Sequence, residues 1–349
     1  MFKIKKNDFQ NIHYNRTKAP FGLRCALSVM EFFYKIIINF KNFLYEIKIL
    51  KEKNIGVQVI CVGNLTTGGV GKTPIVTMLA NKLSKEKKVA VISRGYGAKI
   101  SNKNPIIVKD LKGIKFKDGT MCSDEAYQLA KKVNNNVVVI ACSNRVKASE
   151  FAIVKYGIDT IILDDGFSNR KIKKTKTILV FDSKMKTGNS HLLPYGPLRE
   201  PLSQIKRADE IILVDKGDEN VEEAIAWVKK FNLKTSICKM KPSKIYQMNS
   251  KAKIKLNNQK AIAFCAIGQP TQFFDFAKKY YNLAETIAFD DHHKYQKSDI
   301  EYLIKLAKNH EINTFITTQK DETKLLGLTK NITKYSFNVL ELENELIEI

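Results

Sequence analysis

The chain has 349 residues, enough for two medium domains or one large one, and 44% are hydrophobic, so a full core is available. A formal charge of +24 points to nucleic acid, an anionic membrane surface or an acidic substrate, unless it is only a Lys-rich usage bias. Six cysteines (25, 61, 122, 142, 238 and 265) include no C-x-x-C pair, which argues against a zinc site or disulfide framework and fits a reducing compartment.

The first twenty residues are polar and basic, without the pattern of a cleavable signal. Residues 23–50 then read as a helix of about 40 Å at ~1.5 Å per residue. Arg24, Ser28, Glu31, Lys35, Asn39, Asn42 and Glu46 form one polar stripe on it, and most of the rest is apolar. No apolar run approaches the ~18–20 residues of a spanning helix. The segment therefore lies on a membrane, where flanking bases favour an anionic leaflet, or packs as a wide-faced core helix.

An apolar strand at 57–62 follows, ending at Gly63-Asn64. Next comes the loop Thr66-Thr67-Gly68-Gly69-Val70-Gly71-Lys72-Thr73 and a helix from Pro74. Strand, glycine loop, Lys-Thr and helix form the layout of a phosphate-binding loop. Glycines let backbone N–H groups converge on an anion, and the helix start adds unpaired donors and a positive dipole end. The pattern is irregular, because Thr66 stands where G-x-x-x-x-G-K-[ST] has its first glycine.

Further strands are expected at 89–93, 106–108, 137–141, 160–163, 177–181 and 211–214, with helices at 74–84, 123–132, 145–155 and 221–230. This alternation predicts an α/β fold with a largely parallel sheet. Residues 237–256 turn to short Lys-rich pieces, read as a connecting hairpin. A second α/β unit follows, with strands at 261–267, 286–289 and 314–317 and helices at 272–281 and 297–308.

Several motifs fall just after these strands. Asp164-Asp165-Gly166 is either a turn or a Walker-B-type carboxylate pair near Mg²⁺. Ser93-Arg94-Gly95-Tyr96-Gly97 is either a surface turn or a backbone held close to a ligand beside a cation. Ser123-Asp124-Glu125 opens a helix as caps or presents a base at a phosphate site. Residues 192–201 hold three prolines and present Arg199 and Glu200; Arg199 suits a bidentate grip on phosphate. Asp290-Asp291-His292-His293 is a metal cluster, an orienting pair for proton transfer, or neither.

In order, VGNLTTGGVGKTP, SRGYG, SDEAYQLA, DDGF, LLPYGPLREPLSQIKRAD, AIGQPTQFF, DHHKY and TTQKD resemble one family, the tetraacyldisaccharide 4'-kinases of lipid A biosynthesis, over about residues 21–325. That family's loop also lacks the first glycine. The resemblance implies transfer of phosphate from Mg-ATP to the 4'-hydroxyl of a lipid-linked glucosamine disaccharide. The reaction would take place at the cytoplasmic face of the bacterial inner membrane, on a peripheral, monomeric enzyme with no obligate protein partner and no nucleic acid. It implies an N-terminal segment (1–55) with a membrane-associating amphipathic helix and a P-loop-type kinase domain (56–235). A hairpin linker (236–258) and a smaller α/β domain (259–349) follow.

Residues 66–73 match the ATP loop, Asp124 the catalytic base and His292 its partner across a domain closure. Asp164 and Asp165 match the acidic pair that, with Thr73, holds the metal, and Arg94, Tyr96, Arg199 and Glu200 match positions lining the site. The family's usual Asp-Asp-Gly-Phe-Gln-His reads here with Ser168 and Asn169 at its end. From the residues alone, a soluble small-molecule kinase, a nucleic-acid-stimulated ATPase and a nucleotide switch stay open, although no stacking-aromatic groove or helix-turn-helix pattern is visible.

Overall fold

A computed structural model describes residues 11–14, 17, 19–99, 103–117, 119, 121–215, 220–254, 258–267, 270–290 and 293–349. The chain forms two compact units: Met1–Cys238 with Leu346–Ile349, and Lys239–Glu345. The boundary falls inside strand β9 (Lys234–Gln247), and the return falls inside β13 (Ser336–Glu348). The expected second domain therefore begins earlier than residue 259, and the last four residues belong to the first unit.

In the first unit the sheet order is β8 (Glu210–Asp215), β7 (Lys176–Asp182), β1 (Gln58–Gly63), β6 (Thr160–Asp164), β2 (Val89–Ser93), β5 (Val138–Ala141), β3 (Ile106–Asp110) and β4 (Gly113–Ile114). Pairing is parallel from β8 to β5. The β3–β5 and β3–β4 pairs are antiparallel, so the edge departs from the expected parallel order. The cause is local: Asp110 accepts from the Lys112 amide, and Gly113 at φ +114° turns the chain back into a hairpin too short to read by periodicity.

Alternate residues of β1 serve opposite faces, as the period of 2 requires. Ile60 and Val62 pack with Ile75 and Val76 of α2 (Lys72–Leu83) and Leu129 of α3 (Asp124–Lys132). Val59 and Cys61 pack with Ala148 and Ala152 of α4 (Arg145–Tyr156). The last residue of β1 is Gly63, where Phe167 leaves no room for a side chain, a Cβ there lying 2.6 Å from Phe167 Cβ.

Helix α1 (Phe21–Glu46) lies against this unit with an unusual polarity. Leu27, Ile38 and Asn42 are buried, yet Phe32, Phe33, Ile36, Ile37, Phe40 and Phe43 are between 50% and 67% exposed. Polar groups do much of the holding. Glu31 accepts from the Leu192 amide at 2.7 Å, Tyr34 donates to the Arg199 carbonyl at 2.8 Å, and Asn42 donates to Glu200 at 2.9 Å. Among the described residues, no helix is long and apolar enough to cross a membrane.

The second unit orders its strands β11 (Asn282–Ala288), β10 (Lys260–Cys265), β12 (Thr314–Thr318) and β13, all parallel. Ile262 and Phe264 face Leu303 of α7 (Lys297–Asn309) and Leu325 of α8 (Gln319–Thr329). Ala261 and Ala263 face Phe273 of α6 (Pro270–Lys278). Residues 237–247, expected as part of a connecting hairpin, lie in the single long strand β9, after which a tight turn has Gln247 donating to the Ala252 carbonyl at 2.9 Å.

Thr317-Thr318-Gln319-Lys320-Asp321, uninformative as sequence, is a helix cap built on the buried Thr318 and Asp321. The Thr318 hydroxyl and the Ala266 amide both donate to Asp321 Oδ2, at 2.7 and 3.0 Å, and Lys324 pairs with Oδ1 at 3.0 Å. Asp321→Ala would strand these donors and is expected to destabilise the second unit by about 2–3 kcal/mol. Hydrogen exchange should show lost protection at the Ala266 amide.

Candidate active site

The site is built where β1, β2, β5 and β6 end. The phosphate loop leaves β1 and enters α2 through Gly71, whose left-handed φ of +91° suits glycine alone. No side chain caps α2, so its first amides stay available to an anion. Thr66 and Thr67 serve the loop's own architecture. Thr66 O accepts from Asn64 Nδ2 at 2.7 Å, and the Thr67 amide donates to the Pro197 carbonyl at 2.7 Å.

A compact charge cluster lies beside the loop. Asp165, in left-handed backbone at φ +54°, is forked by Arg199 through two hydrogen bonds of 2.8 Å. Lys72 Nζ lies 3.4 Å from the same carboxylate. Asn64 ties the two cations together, its Oδ1 accepting from Lys72 at 2.8 Å and from Arg199 at 2.6 Å. Burial pushes the Asp165 carboxyl up, but the Arg199 hydrogen bonds and Lys72 outweigh it and hold the group well below the carboxylate range.

Its neighbour Asp164 is the opposite case. No hydrogen bond or ion pair reaches its carboxylate among the described residues. Burial pushes it up to about 6, Lys72 pulls it down, and the charges of Asp165 and Glu125 raise it again. Such a carboxylate fits a cation, and the Thr73 hydroxyl in the first turn of α2 has the right chemistry to share it. Among the described residues no cluster of three or more His, Cys, Asp or Glu side chains forms a protein-only metal cage.

Asp124 opens α3 and is solvent-exposed. It is positioned on both sides. Ser123 before it sits at φ +88°, a strained conformation for a side chain, while its Oγ caps the Ala126 amide at 3.4 Å. Gly119 is pressed against it so closely that a Cβ would lie 2.7 Å from Asp124 Cα. Ser123 does the capping, which leaves the exposed Asp124 carboxylate uncommitted to the cap.

A cavity of about 440 Å³ adjoins Asp165 and Arg199, lined also by Arg94, Arg145, Arg170, Lys171 and Lys41. Arg145 is buried, donating to the Cys142 carbonyl and, at 3.0 Å, to the Asp164 carbonyl. Ser168 and Asn169 line the same cavity, so the departure from Gln-His falls where a ligand would be touched.

Two expected lining residues are placed otherwise. Tyr96 is 79% exposed and is not part of the cavity wall. Glu200 is fully buried and faces α1 and Arg207, holding Asn42 rather than a phosphate. The alternation of buried and open residues along 199–200 sends Arg199 to the site and Glu200 away from it. His292 and Asp291 lie outside the described residues. His293 beside them is committed to Asp299 at 2.9 Å and stacks on Phe289.

Sequence reasoning passed over Asn64 and Arg145, and it read Glu125 only as part of a helix start. Asn64 had one available signal, its place between the strand and the loop. Arg145 and Glu125 reach the site only through strand order.

Because the Asp164 pKa is raised in the fold, its contribution favours the folded state below about pH 4 and is lost as pH rises through about 6. Asp164→Asn is therefore expected to stabilise the ligand-free protein at pH 7.5 by about 2 kcal/mol, with little difference at pH 4. Denaturant unfolding at the two pH values checks this.

The sequence profile of the tetraacyldisaccharide-1-P 4'-kinase family matches residues 23–348. A tetraacyldisaccharide 4'-kinase of Aquifex aeolicus is 35% identical over 326 residues, covering 93% of this chain and 97% of that protein. One of Halothermothrix orenii is 34% identical over 316 residues, covering 85% and 82%. Among solved structures, LpxK from Aquifex aeolicus in complex with ATP aligns with a TM-score of 0.66 at 31% identity, over 93% of this chain and 95% of that one. With its phosphate loop, carboxylate pair and helix-borne Asp124 all inside the matched span, the chain belongs to the tetraacyldisaccharide-1-P 4'-kinase family.

Proposed function

We propose that the site transfers the γ-phosphoryl group of ATP to the 4'-hydroxyl of a tetraacylated glucosamine disaccharide 1-phosphate. The observation that carries this is the convergence of Lys72 and Arg199 on Asp165 at the mouth of the phosphate loop. Two cations held there by one carboxylate and Asn64 are placed to receive a polyphosphate without long-range rearrangement.

Asp124 accepts the proton of the 4'-hydroxyl as the sugar oxygen attacks the γ-phosphorus. The bond from that phosphorus to the β-bridging oxygen breaks, and ADP leaves with its electron pair. Lys72 and the loop amides neutralise the outer phosphates, and Arg199 meets charge developing on the transferred group. Thr73 with Asp164 or Asp165 would hold Mg²⁺, which supplies further charge neutralisation to the phosphates when bound. No step is assigned to His292.

The cavity beyond Arg199 suits the acceptor. Arg94, Arg145, Arg170, Lys171 and Lys41 offer a cationic wall for an anionic disaccharide headgroup. Lys41 stands on α1, whose outer face of Phe and Ile side chains matches the acyl layer of a membrane. The protein then works as a peripheral enzyme on an anionic membrane, here assigned to the inner membrane, with its cleft beside the lipid it phosphorylates.

Incubation of the full chain with radiolabelled ATP, Mg²⁺ and the lipid disaccharide in detergent should yield a labelled lipid. An ATP-binding protein that forms none would contradict the assignment. Asp124→Ala should lower kcat at least about 100-fold while the KM for ATP stays within a few-fold. A large rise in that KM with kcat intact would make Asp124 a nucleotide contact.

A further inference from the structure

Residues 11–14 lie outside the span matched by the family, yet they are anchored on the phosphate loop. Ile12 and His13 are buried, at 7% and 9% exposure. The Tyr14 hydroxyl donates to the Thr67 carbonyl at 2.7 Å. His13 Nε2 meets the Pro194 carbonyl at 3.0 Å, and the Asn189 amide donates to the His13 carbonyl at 2.8 Å. Two glycines make room for this contact. A Cβ on Gly188 would collide with the His13 carbonyl, and one on Gly68 would lie 3.2 Å from the Tyr14 oxygen.

We infer that residues 11–14 form a clasp on the phosphate loop, with Tyr14 as a positioning residue for nucleotide phosphates. The inference rests on the reading of residues 66–73 as the ATP loop. In a planar trans peptide the carbonyl and the following N–H point in opposite directions. Holding the Thr67 oxygen therefore fixes the direction of the Gly68 N–H. The Thr67 amide is already spent on Pro197, so Tyr14 completes the immobilisation of that residue from the other side. The irregular loop, with Thr66 and Thr67 ahead of its glycines, thus has both threonines tied: Thr66 to Asn64, Thr67 to Pro197 and Tyr14. The clasp also joins the loop to residues 189–194, upstream of Arg199, so the nucleotide cradle and the arginine share one support.

The test is equilibrium binding of radiolabelled ATP to the full chain in detergent, with steady-state kinetics and thermal unfolding alongside. Tyr14→Phe removes one oxygen and keeps the ring. It should weaken ATP binding about fivefold, the scale of one lost hydrogen bond, and raise the KM for ATP in step. The KM for the lipid acceptor and the Tm should stay unchanged. The double substitution Ile12→Ser with His13→Ala should weaken ATP binding further.

Wild-type affinity for ATP in both variants would overturn the clasp while leaving the kinase reading intact. An equal loss for ATP and acceptor together with a lowered Tm would make the segment merely structural. A wild-type chain that fails to bind ATP would remove the loop assignment, and the clasp with it.

Discussion

The structure turns on one carboxylate between two cations. Asp165 is held by Arg199 and Lys72 while Asn64 bridges the same pair of cations. Two positive groups this close repel one another unless something fixes them, and here a half-buried acid and an amide do so. Among the described residues the same arrangement leaves the Asp164 carboxylate without a hydrogen bond or ion pair, and burial raises its pKa to about 6, a charge environment that the proposed Mg²⁺ would relieve. The ligand-free site is thus neutralised internally on one side and left open on the other. In the proposed reaction, incoming phosphates would compete with Asp165 for Lys72 and Arg199, which the ion pairs already hold side by side.

Helix α1 inverts the usual polarity of a surface helix. A globular protein presents the apolar stripe inward. Here Glu31, Tyr34 and Asn42 face the body and hydrogen-bond to residues 192–200, while Phe and Ile side chains face out. An exposed apolar patch of this size is costly in water, and it supports the membrane-facing role proposed above for this helix. Tyr34 and Asn42 end on Arg199 and Glu200, so the helix with the exposed apolar face and the site arginine belong to one hydrogen-bonded network.

Much of this was legible from residues because the signals are local. The phosphate loop is encoded by glycines at positions that need positive φ, the carboxylate pair by its place at a strand end, and the first-unit strands by buried runs. What escaped was encoded elsewhere. Arg145 and Glu125 matter because β5 and β6 lie on either side of β2, and strand order is not written in any window. Glu200 was assigned to the site by the resemblance alone. Its direction depends on Asn42, which is distant in sequence. The last helix and strand, within residues 319–348, went unread although Leu340, Leu342 and Leu346 alternate with acids along β13. The acids of β13 make sense only opposite Lys241 and Lys244 of β9, which they pair with at 3.0 Å. The pairing of Asp124 with His292 is carried by the resemblance alone.

The central claim is that this cluster is the polyphosphate seat. The most direct measurement is a crystal structure of the chain with a non-hydrolysable ATP analogue and Mg²⁺. The account predicts phosphate oxygens within about 3 Å of Lys72 Nζ, as charge-assisted hydrogen bonds require, with the metal bound by Asp164 or Asp165. A nucleotide whose phosphates lie elsewhere, with Lys72, Asp165 and Arg199 undisturbed, would contradict it.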